Sequence, residues 1–214
     1  MGVLTYAVEA AEQKKWVKYA LLVFIAMLFH TYAIVFVVVP FLRRKPWSAF
    51  TWLLAVGAVF VFMNIEPILG NVADFTEENG KKIYQDEILG GQNSNIFRIL
   101  VYAVPPLISF VYRKTLFEDS KPIENITVHL SLLSFICMLY GVTVDANESD
   151  RLATYFIWGT IIALPWMLKK ISLKQGNNIL KSVAYVAFFI YFVYKFTIAE
   201  SFDANYQTIL SRYI

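Results

Sequence analysis

The segment from Asn147 to Leu168 reads NESDRLATYFIWGTIIALPWML and sets a short acidic turn against an apolar run about as long as a bilayer is thick. Arg151 stands at the boundary, and Tyr155 and Trp158 follow it at helical spacing, so that all three share one face. An arginine above aromatic rings at the mouth of a membrane helix suits a phosphate or a sugar ring. The same pattern is also typical of an interfacial anchor with an aromatic residue beneath it.

The composition of the chain is that of a membrane protein. Hydrophobic residues fill 58% of its 214 positions, the mean hydropathy is +0.54, and only 16% of the residues are charged, against roughly 25% in a soluble domain. The 19 basic and 16 acidic residues are too evenly balanced for a nucleic-acid-binding protein. The single cysteine, Cys137, permits no internal disulfide and no cysteine-based metal site. We therefore expect no nucleic-acid partner, no metal site and no cofactor.

Apolar runs follow one another along the chain at lengths that suit membrane helices. Residues 2–12 form a predicted helix that is too short to cross a bilayer, because a crossing needs about 20 residues. The runs predict an all-α polytopic transmembrane helix bundle with five to six spans in a single domain over residues 1–214. The predicted spans are Val17 to Val39, Trp47 to Asn64, Ile96 to Tyr112, Ile126 to Val144, Leu152 to Leu168 and Ile179 to Thr197.

A long polar segment, Ile65 to Asn95, separates the second and third predicted spans. It contains six acidic residues, two lysines and four glycines. Connections of this length are usually functional or disordered. We expect this one to cover a site at the membrane surface.

The basic residues predict the orientation, because short cytoplasmic loops carry an excess of lysine and arginine. The set of loops that holds ten of them is placed in the cytoplasm, and the acidic segment 65–95 and the acidic turn 145–150 fall outside. Lys14, Lys15 and Lys18 are the exception, since this topology puts them outside; a re-entrant N-terminal piece would remove it. The ten cytoplasmic residues are Arg43, Arg44, Lys45, Arg113, Lys114, Lys121, Lys169, Lys170, Lys174 and Lys181.

His30 lies well inside the first predicted span, whereas Lys18 stands at its edge, and an ionisable residue within a span is a functional hypothesis by default. Its imidazole titrates near neutral pH and suits a general base for a sugar hydroxyl. The alternative is a neutral histidine hydrogen-bonded to a neighbouring helix. Counting from Val17 puts His30 roughly 20 Å along the helix, past the middle of the bilayer. Contact with Arg151 would then require a deep cavity or a tilted helix.

Arg98 and Tyr102 begin the third predicted span with the same spacing as Arg151 and Tyr155. The topology places both arginines at outer ends of spans, where two planar guanidinium groups suit a diphosphate. The alternative is that each arginine pairs with an acid of the loops, such as Asp150.

Three stretches carry a resemblance to a known family. DRLATYF at residues 150–156, followed by an apolar run and a proline, resembles the R-x-x-x-Y-F signature of the EpsG family, which comprises Wzy-like membrane proteins of exopolysaccharide synthesis. FIAMLFHTYAIVFVVVP, from Phe24 to Pro40, is similar to that family's histidine helix and carries its histidine as His30. ILVYAVPPLISFVYRK, ending at Lys114, is a weaker match. The three stretches, in this order, cover most of Lys14 to Lys170.

The resemblance implies a membrane polymerase of lipid-linked oligosaccharide repeat units in exopolysaccharide biosynthesis, in the bacterial plasma membrane. Such an enzyme transfers a growing chain from a polyprenyl diphosphate to another lipid-linked unit. It implies His30 and Arg151 as catalytic residues and Tyr155 as a substrate-binding residue. Arg98, at the outer end of a predicted span, and Trp158, on the face of Arg151 and Tyr155, are predicted to bind substrate from their positions. The expected partners are the polyprenyl-diphosphate-linked oligosaccharide, the lipid bilayer and other exopolysaccharide assembly proteins.

Family members are longer, and the first residues here, GVLTYAVEAAEQKKW, look like the tail of a helix that follows an arginine–glutamine pair in them. We therefore expect a C-terminal portion of a larger polymerase. Two other functions stay open. One is a transporter or flippase of lipid-linked sugars, which broken helices at Pro105, Pro106 and Pro165 would suit. The other is a non-catalytic subunit of the assembly machinery.

Cysteine labelling in intact cells tests the predicted orientation. A cysteine introduced at Asn79 or Asn147 is expected to react with a membrane-impermeant reagent from outside. One introduced at Ser172 is expected to react only after the cells are opened. Labelling of Ser172→Cys in intact cells contradicts the assignment of the basic loops to the cytoplasm.

Overall fold

The structure of the protein is a computed structural model that describes residues 2–29, 31–63, 96–142, 146–176 and 178–194. The regular elements of this part of the chain are all helices, which confirms the predicted all-α class. The polar segment from Ile65 to Asn95, which is predicted to cover a site, lies outside the described residues.

Eight α-helices and one 3₁₀ helix make up the described part of the chain. Most are shorter than the spans predicted from the apolar runs. They are α1 (Gly2–Glu12), α2 (Trp16–Phe29), the 3₁₀ helix η1 (Thr31–Arg43), α3 (Ala49–Met63), α4 (Ile96–Val111), α5 (Arg113–Phe117), α6 (Pro122–Tyr140), α7 (Ala146–Gln175) and α8 (Ile179–Tyr194).

The chain divides into two compact units, Met1–Met167 and Leu168–Ile214. In the second unit, the Ser172 hydroxyl donates a hydrogen bond to the side-chain oxygen of Asn178. Gly176, between them, has a φ of +64°. Glycine adopts this left-handed conformation without steric cost, and it commonly ends a helix.

Helix α6 lies at the centre of the first unit. Its residues 125–134 are all buried, as expected for a helix that is enclosed by others. It begins with a proline at its first turn and a capping interaction in which the Lys121 backbone N–H donates to the Glu124 carboxylate at 2.8 Å. The short helix α5 precedes it.

Two helices of the described part are long and apolar enough to cross a membrane: α6, over Pro122–Tyr140, and the Leu152–Lys174 part of α7. Five further apolar helices are shorter. Large apolar side chains also cover the exterior, with Val17 86% exposed and Leu53 70% exposed. Apolar surface on this scale marks a face that contacts lipid or another protein. The predicted count of five to six spans stays a prediction.

The predicted single span from Val17 to Val39 is wrong, because α2 and η1 fold back on each other. The Tyr19 hydroxyl donates a hydrogen bond to the Phe36 carbonyl, whereas one continuous helix would separate these residues by about 25 Å. At the other end of the pair, the Arg43 guanidinium donates to the Glu12 carbonyl at 3.3 Å. The two helices therefore run antiparallel to each other as a hairpin.

The 3₁₀ geometry of η1 explains which of its side chains are buried. Ala33, Phe36, Val39 and Leu42 recur at every third position and are at most 1% exposed, because three residues per turn align such positions along one edge. Pro40 favours this geometry, since in an α-helix its ring would clash with the Phe36 carbonyl. That carbonyl takes the Tyr19 hydroxyl instead. Hydropathy alone does not reflect this effect of Pro40, so the apolar run predicted one continuous helix.

Helix α1 ends in a hydrogen-bonded turn that directs α2 back along it. Lys15 N–H donates to the Ala10 carbonyl at 2.9 Å, and Lys14 N–H donates to the Ala11 carbonyl at 3.1 Å. Lys14 has a φ of +58°, so the turn is a Schellman motif with a lysine at the position that usually holds glycine. The predicted helix over residues 2–12 is confirmed.

Side-chain contacts fix the direction of each helix in the first unit. The end of η1 meets the start of α6, because Asn125 Nδ2 donates to the Arg43 carbonyl at 3.0 Å. The start of α3 lies beside them, with Thr51 Oγ1 3.0 Å from His129 Nε2. We call this end, with its turns 13–15, 43–48 and 118–121, the basic end.

The opposite end of the first unit is called the loop end here. It contains the first turn of η1, the last turn of α3, the first turn of α4 and the first turn of α7. Helix α4 runs away from it, since Trp47 Nε1 donates to Ser109 Oγ, near the end of α4, at 3.1 Å. Helix α7 also runs away from it, since Ser134 Oγ donates to the Ala153 carbonyl at 2.9 Å and Trp166 Nε1 donates to Thr127 Oγ1 at 3.3 Å.

The hairpin removes the exception in the predicted distribution of charge. Lys14 and Lys15 follow Glu12, whose carbonyl is bonded by Arg43, so they lie at the same end as the basic turn 43–45. A single span would have put these two groups on opposite sides of the bilayer. The re-entrant N-terminal piece considered in the sequence analysis therefore fits the structure.

Gly159 brings α7 against the backbone of α6. A Cβ at this position would lie 2.5 Å from Leu130 Cβ and 2.9 Å from the Thr127 carbonyl oxygen. Neither atom belongs to the flexible end of a side chain. The two helices can approach this closely only because residue 159 has no side chain.

Gly159→Ala is expected to lower the free energy of unfolding by about 1–3 kcal/mol, because the helices must separate to admit the methyl group. Gly57→Ala is the matched control, since a Cβ there meets nothing within 4 Å. It is expected to leave stability unchanged or raise it by up to about 1 kcal/mol. Thermal unfolding in detergent measures both. Equal stability of the two variants would contradict the close contact at Gly159.

Candidate functional site

Three helices begin at the loop end close, along the chain, to residues predicted to be functional. Helix α4 begins there two residues before Arg98, and α7 begins there with the acidic turn and Arg151. The 3₁₀ helix η1 also begins there, at Thr31. These three elements reach the loop end from separate parts of the chain.

Tyr155 and Trp158 lie on α7 and are both half-buried against the core of the first unit. The Trp158 ring stacks on Phe36 of η1, with centroids 6.4 Å apart and ring planes 18° apart. Phe36 also stacks on Phe156, with centroids 6.3 Å apart. The aromatic face below Arg151 therefore rests on the 3₁₀ helix, and stacking fixes the plane of the indole.

The indole N–H of Trp158 is buried and has no hydrogen-bond acceptor among the residues that the structure describes. Buried N–H donors nearly always find a partner. The other tryptophan of α7 in the first unit, Trp166, donates its N–H to Thr127 Oγ1. Trp158 Nε1 is thus a donor at the loop-end half of α7 that is suited to an oxygen from outside the described part of the protein.

The two predicted catalytic residues are described only in part or not at all. Arg151 belongs to α7, about 6 Å along the axis before Tyr155, but nothing is described of its side chain. His30 lies outside the described residues. Arg98 is half-buried in the first turn of α4 and takes part in an interaction with another residue.

The hairpin changes which helix ends lie at the same end of the first unit. In the structure, η1 begins at the loop end, and so does α7. The deep cavity or tilted helix that a single span would require is not needed to bring the beginning of η1 and the beginning of α7 to the same end.

Comparison with known proteins identifies the family. The sequence model of the EpsG family matches residues 1–210. The chain belongs to the EpsG family. No curated protein matches it, and no solved structure matches it.

Membership of the EpsG family identifies the chain as an exopolysaccharide-related, polymerase-like membrane protein. The exposed apolar faces of its helices agree with a membrane location. Membership of the family also indicates that the protein acts with lipid-linked oligosaccharides in a membrane.

His129 is fully buried on α6. It was not among the residues predicted to be functional. Its Nδ1 lies 3.1 Å from the Leu42 carbonyl oxygen and 2.9 Å from the Asn125 carbonyl oxygen. Because both partners are acceptors, Nδ1 carries the proton, and Nε2 accepts from the Thr51 hydroxyl. His129 therefore joins α6 to η1 and α3. Its position among polar residues of an otherwise apolar run was the available signal.

Trp158→Phe tests whether the indole N–H serves a substrate in this EpsG-family protein. The variant keeps a ring against Phe36 and removes an N–H that has no acceptor among the described residues. Trp166→Phe is the matched control, since it deletes the bond to Thr127 and should cost about 0.5–1.5 kcal/mol more in unfolding free energy.

Exopolysaccharide yield at matched protein level is the second measurement. It is expected to fall in Trp158→Phe and to be retained in Trp166→Phe. Normal yield from Trp158→Phe would assign the Trp158 ring to packing alone.

Proposed function

We propose that this EpsG-family chain is a membrane polymerase of lipid-linked oligosaccharide repeat units in exopolysaccharide biosynthesis. It transfers a growing glycan from a polyprenyl diphosphate to the end of another lipid-linked unit. The observation that carries this proposal is the arrangement at the loop end. There η1, α4 and α7 all begin at one end of the first unit, and Tyr155 and Trp158 lie on α7 close to its beginning.

The leaving group of this reaction is a lipid diphosphate, so the site needs cations where negative charge develops. Arg151 is proposed to bind the diphosphate through its planar guanidinium, and Arg98 to bind it from α4. The diphosphate headgroup lies at the membrane boundary, which is also where α4 and α7 begin.

The sugar is proposed to lie against the aromatic face. Tyr155 and Trp158 offer apolar ring surface together with polar hydrogen-bonding groups. The unpartnered Trp158 N–H suits a sugar hydroxyl or ring oxygen. His30 is proposed as the general base that takes the proton from the attacking hydroxyl of the acceptor unit.

The proposed topology places the basic end in the cytoplasm and the loop end outside, because basic turns mark the cytoplasmic side of bacterial membrane proteins. The chain is proposed to be a single polytopic domain of the plasma membrane with five to six crossings. The α2–η1 hairpin enters from the cytoplasmic side in this topology. Its arms are about 21 Å and 26 Å long, short of the roughly 30 Å hydrocarbon core.

One observation favours a second candidate, a flippase of the same lipid-linked sugar. Transporters commonly place helices that stop inside the bilayer beside their substrate sites, and the α2–η1 hairpin is such a pair. The two functions differ in product. A flippase moves unpolymerised lipid-linked units across vesicle membranes, whereas a polymerase converts units that are already on the outer face into longer chains.

Arg151→Lys is the experiment that tests the polymerase proposal. Lysine keeps the charge but loses the planar, bidentate group. Loss of about 1.5–3 kcal/mol of charge-assisted hydrogen bonding corresponds to a fall in polymerisation of roughly ten- to a hundredfold. The measurement is polymer length on a gel, with insertion and protein level matched to the parent.

Arg113→Lys is the matched control. Arg113 lies at the basic end, over the Phe110 ring of α4, and donates to the Phe110 carbonyl at 3.2 Å. Its replacement should leave polymer length unchanged. Normal polymer from Arg151→Lys would reject the diphosphate contact and return Arg151 to an interfacial anchor, for which lysine serves equally well.

A further inference from the structure

Two turns of the basic end are held side by side. The first, Arg43 to Ser48, joins η1 to α3, and the second, Glu118 to Lys121, joins α5 to α6. Lys45 Nζ donates to the Glu118 carbonyl at 3.3 Å, and Asn125 of α6 donates to the Arg43 carbonyl at 3.0 Å. We call this pair of turns the double turn.

Three hydrogen-bond donors of the double turn are buried and lack an acceptor among the described residues. They are Arg43 Nε, Ser48 Oγ and Ser120 Oγ. Each belongs to a residue that is only half-buried, so the donors lie just beneath the surface. Donors left without a partner in such a position are costly, and an external oxygen would satisfy them.

Both serines lie near the start of a helix, and neither hydroxyl has a partner among the described residues. Ser48 comes directly before α3, and its carbonyl, not its hydroxyl, accepts the Thr51 N–H at 2.9 Å. At the start of α6 the Glu124 carboxylate accepts the Lys121 N–H, and its negative charge disfavours a second anion at that turn. An anion at the double turn would therefore be held by side chains.

The double turn is rich in cations. Its Arg44 lies over the Phe50 ring at 5.0 Å, and it also contains Lys45 and Lys121. The acids at this place are Glu118, Asp119 and Glu124, and Glu124 is engaged at the start of α6. Together with Arg43, the cations and the serine hydroxyls form a donor-rich surface.

Apolar surface continues from the double turn along α3. Trp52 is 54% exposed and Leu53 is 70% exposed, one turn of helix beyond Ser48. A molecule that placed an anionic oxygen at the serines could lay an acyl chain along this face. Anionic lipids are attracted to basic clusters at the ends of membrane helices.

We propose that the double turn binds the phosphate group of an anionic phospholipid from the leaflet at the basic end. Ser48 and Ser120 donate to the phosphate oxygens, Arg43, Arg44 and Lys121 supply positive charge, and the exposed face of α3 receives an acyl chain. The site is separate from the loop end and does not depend on the proposed polymerase activity.

The experiment uses the full chain in detergent with added phosphatidylglycerol and compares the parent with the double variant Ser48→Ala, Ser120→Ala. Because these hydroxyls have no described protein partner, the variant should unfold at the same or a higher temperature without lipid. With phosphatidylglycerol, the parent should gain thermal stability and retain bound lipid in native mass spectrometry. The variant should bind the lipid roughly tenfold more weakly.

Ser131→Ala is the matched control, since its hydroxyl donates within α6 to the Val128 carbonyl at 2.8 Å, and it should respond to lipid as the parent does. An equal lipid response in the double variant would overturn the proposal. So would an equal response of the parent to phosphatidylcholine, or a full response to inorganic phosphate alone, which would point to a free anion. A double variant that unfolds earlier without lipid would show that the hydroxyls serve the protein itself and would also overturn it.

Discussion

The arrangement of the first unit depends on the polar side chains buried along α6. Inside a bilayer or a protein core, an unsatisfied polar group costs several kcal/mol, so each of these side chains must find a partner on a neighbouring element. His129 finds two carbonyls and the Thr51 hydroxyl. Asn125 binds the end of η1, and Ser134 binds the start of α7. These bonds have direction, whereas apolar packing alone does not, and they fix which end of each neighbour meets which end of α6.

The hairpin follows from the same requirement. Pro40 cannot donate a backbone hydrogen bond, and its ring disfavours an α-helix through Phe36. The 3₁₀ helix avoids the clash, and the Tyr19 hydroxyl binds the Phe36 carbonyl. With the end of η1 held by Asn125, its beginning must point toward the loop end. The basic turns of the first unit then gather at one end, which a single span would not allow.

The sequence predicted the class of the fold and the character of the chain, because both depend on composition and on the length of apolar runs. It predicted the short first helix. It did not predict the hairpin, because Val17 to Val39 is mostly apolar and hydropathy contains no information about the direction of the chain. It also did not predict the contact of Phe36 with Trp158, which joins residues 122 positions apart. Such contacts depend on tertiary packing.

In the candidate site, too, helical spacing could be predicted from the sequence, whereas tertiary contacts could not. The face shared by Tyr155 and Trp158 is a matter of helical spacing and was legible from the sequence. Its position depends on Gly159, which brings α7 onto α6, and on Phe36, which supports the rings from η1. The site is therefore coupled to the core through adjacent positions on α7: residue 158 faces the stacked ring, and residue 159 contacts the backbone of α6. A change that separates α6 from α7 would shift the aromatic face away from η1, even though it leaves every proposed substrate-binding residue in place.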